Sequence, residues 1–261
     1  MGPMNSSPGI ALVTGGARRL GAAIASDLAA HGWAVAIHCN ASRKAADALA
    51  AGIVAAGGRA AVVVGDLRDL SDLPRLVYES ETTLGKPSLL VNNASIFEED
   101  AFGALDPAAF ERQMTVNFTA PVFLAQAFAA ALGDREGNIV NMIDQRAWRT
   151  APTYFTYQMS KSALWAATRV MAQALAPRIR VNAIAPGPVL PSERQDAGDF
   201  DAQLRHIPLR RGPALAEFGR TVRYLVENRS ITGQMIALDG GQHLVWDTPD
   251  MAEFDSGHDE H

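Results

Sequence analysis

The sequence predicts an α/β protein: one domain built on a doubly wound parallel sheet of about seven strands. Three observations predict it. Short, uniformly apolar runs alternate with Ala-rich helical stretches, the pattern of strands buried on both faces. No Pro/Gly/Ser-rich linker and no repeat interrupts that rhythm. The 261 residues, 48% hydrophobic and 20% charged, suffice for one substantial core.

The elements follow in order. "IALVT" (10–14) reads as a strand and "RRLGAAIASDLAAHG" as a helix closed by Gly32. "WAVAIH" (33–38) is the second strand, and the helix after it takes Ser42 as N-cap and ends in glycines. "AAVVVGD" (60–66), a helix over 69–84 and "SLLVNNA" (88–94) repeat the unit. Helices at 106–118 and 119–132, the strand "GNIVNMI" (137–143), a helix over 154–176 and the strand "IRVNAIAPG" (179–187) come next. A helix over 213–228 and the strand "QMIALDGG" (234–241) complete the series.

Three segments stand outside it. Residues 1–9 read as a flexible N-terminus, which formally matches the Met-Gly-x-x-x-Ser acylation pattern but is stiffened by Pro3 and is not read as an anchor. Residues 188–212 form a polar insertion after a strand end, where ligands bind in such folds, and read as a substrate loop. Residues 247–261, with six acids and no Lys or Arg, read as a mobile acidic tail outside the 10–246 domain.

Composition narrows the function. A net charge of −5 and a pI near 5.7 argue against a dedicated nucleic-acid or anionic-membrane binder. "TAPVFLAQAFAAAL" is too short to span a bilayer. A single cysteine, Cys39, permits no internal disulfide and suits a reducing cytoplasm, and no metal-ligand cluster is visible.

Chemistry begins at "VTGGARRLG" (13–21), which joins the first strand to the first helix. Gly15 and Gly16 allow a tight turn, and the helix N-terminus behind it favours a phosphate, as in Rossmann-type dinucleotide sites. An NAD site usually carries an acid at the end of the second strand. Here no Asp or Glu lies between Asp27 and Asp47, while Arg18, Arg19, Asn40, Ser42, Arg43 and Lys44 offer donors for a 2′-phosphate. NADPH is the expected cofactor. Further on, Tyr157 and Lys161 form a Tyr-x-x-x-Lys pair, one helical turn apart, able to deliver a proton beside a hydride donor.

These residues resemble the short-chain dehydrogenase/reductase family over nearly the whole chain. Thr14-Gly15-x-x-x-Arg19-x-Gly21 is similar to its glycine turn, Asn92-Asn93-Ala94 to its Asn-Asn-Ala-Gly, and Pro186-Gly187 to the residues after its sixth strand. The resemblance implies a cofactor site of Gly15, Arg18, Arg19, Leu20, Asn40, Ser42, Asp66, Leu67, Asn93, Ala94, Ser95, Tyr157, Lys161, Pro186 and Gly187. It implies Asn117, Tyr157 and Lys161 as catalytic residues and a homotetramer.

Three departures, Arg19 for glycine, Ser95 followed by Phe97, and Asp144 for serine, resemble the pteridine reductases and the dihydromonapterin/dihydrofolate reductases. They imply Arg19, Ser95, Phe97, Asp144 and Tyr157 against a pterin or folate, with Asp144 catalytic. "HCNAS" (38–42) departs in turn, with Ala41 where that subgroup often has arginine; Arg43 or Arg18 is the expected substitute.

Asp144 separates the reactions. Ketone reduction builds negative charge on oxygen, and a carboxylate about 4 Å away costs on the order of 4 kcal/mol at an effective dielectric of 20. That slows the reaction roughly a thousandfold. Reduction of a C=N bond protonates nitrogen instead, which a carboxylate favours. Imine reduction in a dihydropterin or dihydrofolate is expected. The alternatives are a carbonyl reductase acting on an oxoacyl, sugar or polyol substrate, and a silent NADPH-binding sensor, against which the intact Tyr157, Lys161 and Asn117 argue. His38, Trp148 and Trp165 read as structural, and Arg210 and Arg211 as solvated.

Overall fold

The computed structural model describes residues 8–190, 200, 202 and 204–245. The readings made for residues 1–7, for 191–199 of the insertion and for the acidic tail lie outside the described residues.

Seven strands form one parallel sheet in the order β3-β2-β1-β4-β5-β6-β7. They are β1 Ile10–Val13, β2 Ala34–Cys39, β3 Arg59–Val64, β4 Leu89–Asn92, β5 Gly137–Met142, β6 Ile179–Pro186 and β7 Met235–Leu238. Helices α1 Arg19–Ala30, α2 Arg43–Ala55, α3 Leu73–Leu84, α4 Pro107–Met114, α5 Ala120–Leu132, α6 Phe155–Leu175 and α7 Leu215–Glu227 connect them. Side chains alternate along each strand. Ala11 and Val13 of β1 therefore pack with Leu28, Ile37 and Phe218, while Leu12 packs with Leu76, Leu90, Leu124 and Phe128 on the other face. Both faces are covered, which is why the strands read as unbroken apolar runs.

Several boundaries shift for local reasons. Helix α3 begins at Leu73 instead of 69 because the Asp69 carboxylate accepts from the Ser71 N–H and hydroxyl and holds a turn. Ser42 occupies the N-cap position of α2, but its side chain makes no capping bond. The helices expected at 106–118 and 119–132 run together through a π-helical turn, Thr115–Thr119. The resulting stretch, Pro107–Leu132, is long and apolar enough to cross a bilayer by length and composition alone. Its residues Ala120, Leu124, Ala125 and Phe128 are instead buried against the sheet.

The strand order reverses between β1 and β4, so the crevice beyond their carboxyl ends is the place for a ligand. Helix α1 starts at that crevice and is held in position by α7. Arg223 of α7 donates to Asp27 of α1 at 2.8 Å, and Gly219 lies so close that an added Cβ would come 2.3 Å from the Asp27 Cβ. An alanine normally stabilises a helix interior by about 1 kcal/mol over glycine. Here the overlap decides the sign. Gly219→Ala is expected to destabilise the protein by about 1–3 kcal/mol, measured by urea unfolding.

Candidate active site

The groove at the switch point is built by hydrogen bonds between the strand ends. The Thr14 hydroxyl donates to the Val91 carbonyl and accepts from the N–H groups of Asn93 (2.9 Å) and Ala94 (3.1 Å). The Asn93 side chain donates to the Thr14 and Gly15 carbonyls. Gly15 sits at φ 59°, a left-handed conformation that favours glycine, and an added Cβ at Gly21 would lie 2.2 Å from the Gly15 oxygen. No side chain caps α1, so its first turn faces the groove with the donors an anion needs.

His38 completes the turn. Its Nδ1 accepts from the Gly15 N–H at 3.2 Å, and its Nε2 lies 3.1 Å from the Gly65 carbonyl. That geometry requires a neutral ring with the proton on Nε2. Burial lowers the His38 pKa to about 4, which keeps the ring neutral. It is the structural residue expected, and it also lines the groove.

The groove, of about 650 Å³, brings together Gly15, Arg18, Arg19, Leu20, Asn40, Asp66, Leu67, Asn93, Ala94 and Ser95. Ser42 does not line it, and Arg43 is engaged with Asp47 at 2.8 Å. Arg68, which the sequence reading missed, does line it. Its guanidinium holds the Asp66 carboxylate, and this pairing keeps the Asp66 pKa below the usual range. Among the described residues Asp66 is the one acid lining the groove; with Arg68 neutralising it, Arg18 and Arg19 leave the wall cationic. These features fit a dinucleotide that carries an extra phosphate.

A second cleft of about 780 Å³ shares Arg19, Leu20, Asn93 and Ser95 with the groove and adds Phe97, Asp144, Tyr157, Lys161, Pro186 and Gly187. Asp144 follows β5 in extended conformation, where its carboxylate accepts from the Arg146 N–H at 2.8 Å. The Tyr157 hydroxyl donates to the other Asp144 oxygen at 2.9 Å. One turn further along α6, the Lys161 ammonium donates to the Met142 carbonyl at 2.8 Å.

Burial dominates the protonation of all three. It raises the Asp144 pKa against its hydrogen bonds, and it lowers Lys161 to about 8 while Asp144 works to raise it. The Tyr157 pKa rises well above its ordinary value, through burial first and the Asp144 charge second. Arg146 and the Ser95 hydroxyl exert the opposing pull on the tyrosine, and the balance lies upward. The arrangement can hold a protonated phenol beside a carboxyl that resupplies it.

Asn117 lies in the π-helical turn, fully buried. Its carboxamide accepts from the Ile96 N–H and the Ser95 hydroxyl and donates to the Ile96 carbonyl and the Ser160 hydroxyl. It fastens the Ser95–Ile96 backbone to α6. Phe97, just beyond, stacks on Tyr154 with centroids 4.3 Å apart and meets Tyr157 edge-on at 4.7 Å. Tyr154 takes a left-handed backbone (φ 55°), which costs on the order of 1–3 kcal/mol and persists only when its surroundings enforce it. Gln158 does so: its side chain accepts from the Ala151 N–H and donates to the carbonyls of Ala151, Thr153 and Tyr154.

Tyr154, Arg146 and Gln158 were missed from sequence. The signal for Tyr154 was its position three residues before Tyr157, on the same side of the helix start. Trp148 packs against His243, and Trp165 against the cluster around Ile143 and Leu164, while Arg210 and Arg211 are exposed.

Comparison with known proteins places this geometry. Residues 15–243 match the family described as Enoyl-(Acyl carrier protein) reductase. The crystal structure of FolM alternative dihydrofolate reductase 1 from Brucella suis, in complex with NADP, is 57% identical over 94% of this chain and 98% of that one, with a TM-score of 0.91. Pteridine reductase 1 of Leishmania tarentolae is 32% identical, covering 93% of this chain and 99% of its own length. A 3-oxoacyl-[acyl-carrier-protein] reductase of Synechocystis is 30% identical, covering 89% and 96%. The sheet order, the glycine turn and the Tyr157–Lys161 pair agree with these relationships. The chain is an oxidoreductase and belongs to the short-chain dehydrogenase/reductase family.

Proposed function

We propose that the protein uses NADPH to reduce a ring C=N bond of a pteridine, a dihydropterin or dihydrofolate. The observation that carries this reading is the 2.9 Å hydrogen bond from the Tyr157 hydroxyl to the partly buried Asp144 carboxylate. The likeness to an alternative dihydrofolate reductase and to a pteridine reductase supports it. The likeness to 3-oxoacyl reductases makes carbonyl compounds the control substrates. The reading carries with it a cytoplasmic homotetramer.

The groove residues Gly15, Arg18, Arg19 and Asn93 would hold the dinucleotide, and Arg18 and Arg68 with Asn40 would meet its 2′-phosphate. When bound, the cofactor supplies a hydride to the ring carbon. Tyr157 gives its proton to the ring nitrogen, which takes up the electron pair of the C=N bond. Asp144, whose burial favours its protonated form, returns a proton to Tyr157 and regains one from solvent. Lys161, held by the Met142 carbonyl, would orient the nicotinamide ribose, and Asn117 fixes Ser95 and Ile96, and with them Phe97, where the ring would lie.

Cofactor choice tests the groove. With Asp66 neutralised by Arg68, and Arg18 and Arg19 on the wall, NADPH should exceed NADH by about tenfold or more in kcat/KM, as one charge-assisted contact of about 1.5–3 kcal/mol requires. Equal turnover with NADH in steady-state assays would contradict it.

The carboxyl is tested by Asp144→Asn, which keeps size and removes the ionisable proton. Dihydropterin kcat should fall about 10²–10⁴-fold, with little change in NADPH affinity by fluorescence titration. A variant with parental turnover would remove the case for imine chemistry.

The pH profile gives an independent measurement. Lys161 titrates at about 8, so its charge is present at neutral pH and lost as pH rises through that value. The dependence of kcat/KM on pH should therefore show a falling alkaline limb there. Because the Asp144 charge raises the Lys161 pKa, the residual activity of Asp144→Asn should lose that limb at lower pH.

A further inference from the structure

The Arg146 guanidinium acts on Tyr157 and Asp144 through its charge alone, and proton and hydride transfer leave its hydrogen-bonding capacity unused. The Arg146 backbone N–H serves Asp144, but the guanidinium does not touch that carboxylate. The guanidinium lies over the stacked pair Phe97–Tyr154, with Cζ 5.8 Å and 5.1 Å from the two ring centroids. Its Nη1 is buried and has no hydrogen-bond partner, and Arg146 makes no ion pair among the described residues.

A buried guanidinium donor without a partner is unfavourable and is retained where something supplies the acceptor. Two stacked aromatic rings beside it restrict the planar group in advance, so little freedom is lost when an anion docks. Arginine's fork of donors suits a carboxylate better than a neutral carbonyl or hydroxyl. The cleft that Arg146 lines is also the one that holds Phe97, Asp144 and Tyr157.

We propose that Arg146 forms an oxyanion subsite of the substrate cleft, which takes a carboxylate carried by the substrate. Resting on the pteridine reading above, this selects an acidic, folate-type substrate with a glutamyl tail over neutral pterins that lack one. The ring and its reduction are common to both classes, while the tail alone meets Arg146.

The test compares dihydrofolate with dihydrobiopterin in the NADPH-loaded enzyme. Arg146→Leu should lower the ratio of their kcat/KM values by about tenfold or more, through the KM for dihydrofolate. Taking the ratio cancels any influence of Arg146 on Asp144, since both substrates share the reacting ring. Arg146→Gln, which keeps a planar donor without charge, should give the same loss, and Arg146→Lys a smaller one. A ratio within about twofold of the parent in the Leu and Gln variants overturns the proposal.

A second readout separates the subsite from the pteridine reading. p-Aminobenzoylglutamate, the tail without the ring, should bind the NADPH-loaded enzyme and lose about tenfold in affinity in both variants, by fluorescence titration. If neither pteridine is reduced, the reading fails while this titration still decides the subsite. Absent or unchanged binding sinks it.

Discussion

Burying Asp144, Tyr157 and Lys161 within reach of one another is the constraint to which the surrounding structure answers. An isolated charge in such a place would neutralise or draw in water. Here each group has a fixed partner: Asp144 accepts from the Arg146 N–H and the Tyr157 hydroxyl, and the Lys161 ammonium donates a hydrogen bond to the Met142 carbonyl. Those partners lie at the end of β5 and on the first turns of α6, so the geometry of the cluster depends on how that helix starts. Asp100 accepts from the Thr156 N–H there, and Gln158 gathers the preceding loop. Much of the polar structure outside the sheet serves to start α6 in one place.

The same cluster explains why the choice between serine and aspartate at position 144 matters chemically. A hydroxyl donates to developing negative charge, whereas here burial raises the proton affinity of both Asp144 and Tyr157, and the Asp144 charge raises that of Tyr157 further while their hydrogen bond lowers that of Asp144. Such a pair is poor at calming an alkoxide and good at keeping a proton ready for a base. Ring nitrogen is such a base. The likeness to oxoacyl reductases on one side and pteridine reductases on the other therefore turns on few side chains in a shared framework.

Sequence and structure agree most closely where periodicity is strong. The alternation of apolar strands and helices gave the sheet because continuous burial leaves no polar face to confuse the pattern. The glycine turn and the Tyr157–Lys161 pair were legible because their chemistry is tied to short spacings, and Asp144 was legible through the family resemblance. Arg68 was not, since its place in the groove depends on the turn after β3 and on its hold on Asp66, across no fixed spacing. Arg146 and Tyr154 look like ordinary loop residues until α6 and the Phe97 segment meet. Ser42 shows the reverse case, a good capping residue whose hydroxyl goes unused as a cap.

The π-helical turn at Thr115–Thr119 has a consequence for evolution of the chain length. Such a turn holds one residue more than the α-helical turn it replaces, and each residue advances a helix by about 100°. Deleting one residue from the turn would return it to α-helical winding and leave the orientation of α4 about α5 nearly unchanged, whereas a deletion within the regular winding of α5 would swing α4 around the axis by about that angle. Gln113 and Arg112, which hold the Phe97 segment through Glu98, would then face away from it. A one-codon deletion in α5, far from the reacting atoms, would thus dismantle the aromatic wall, while one in the turn would leave it standing.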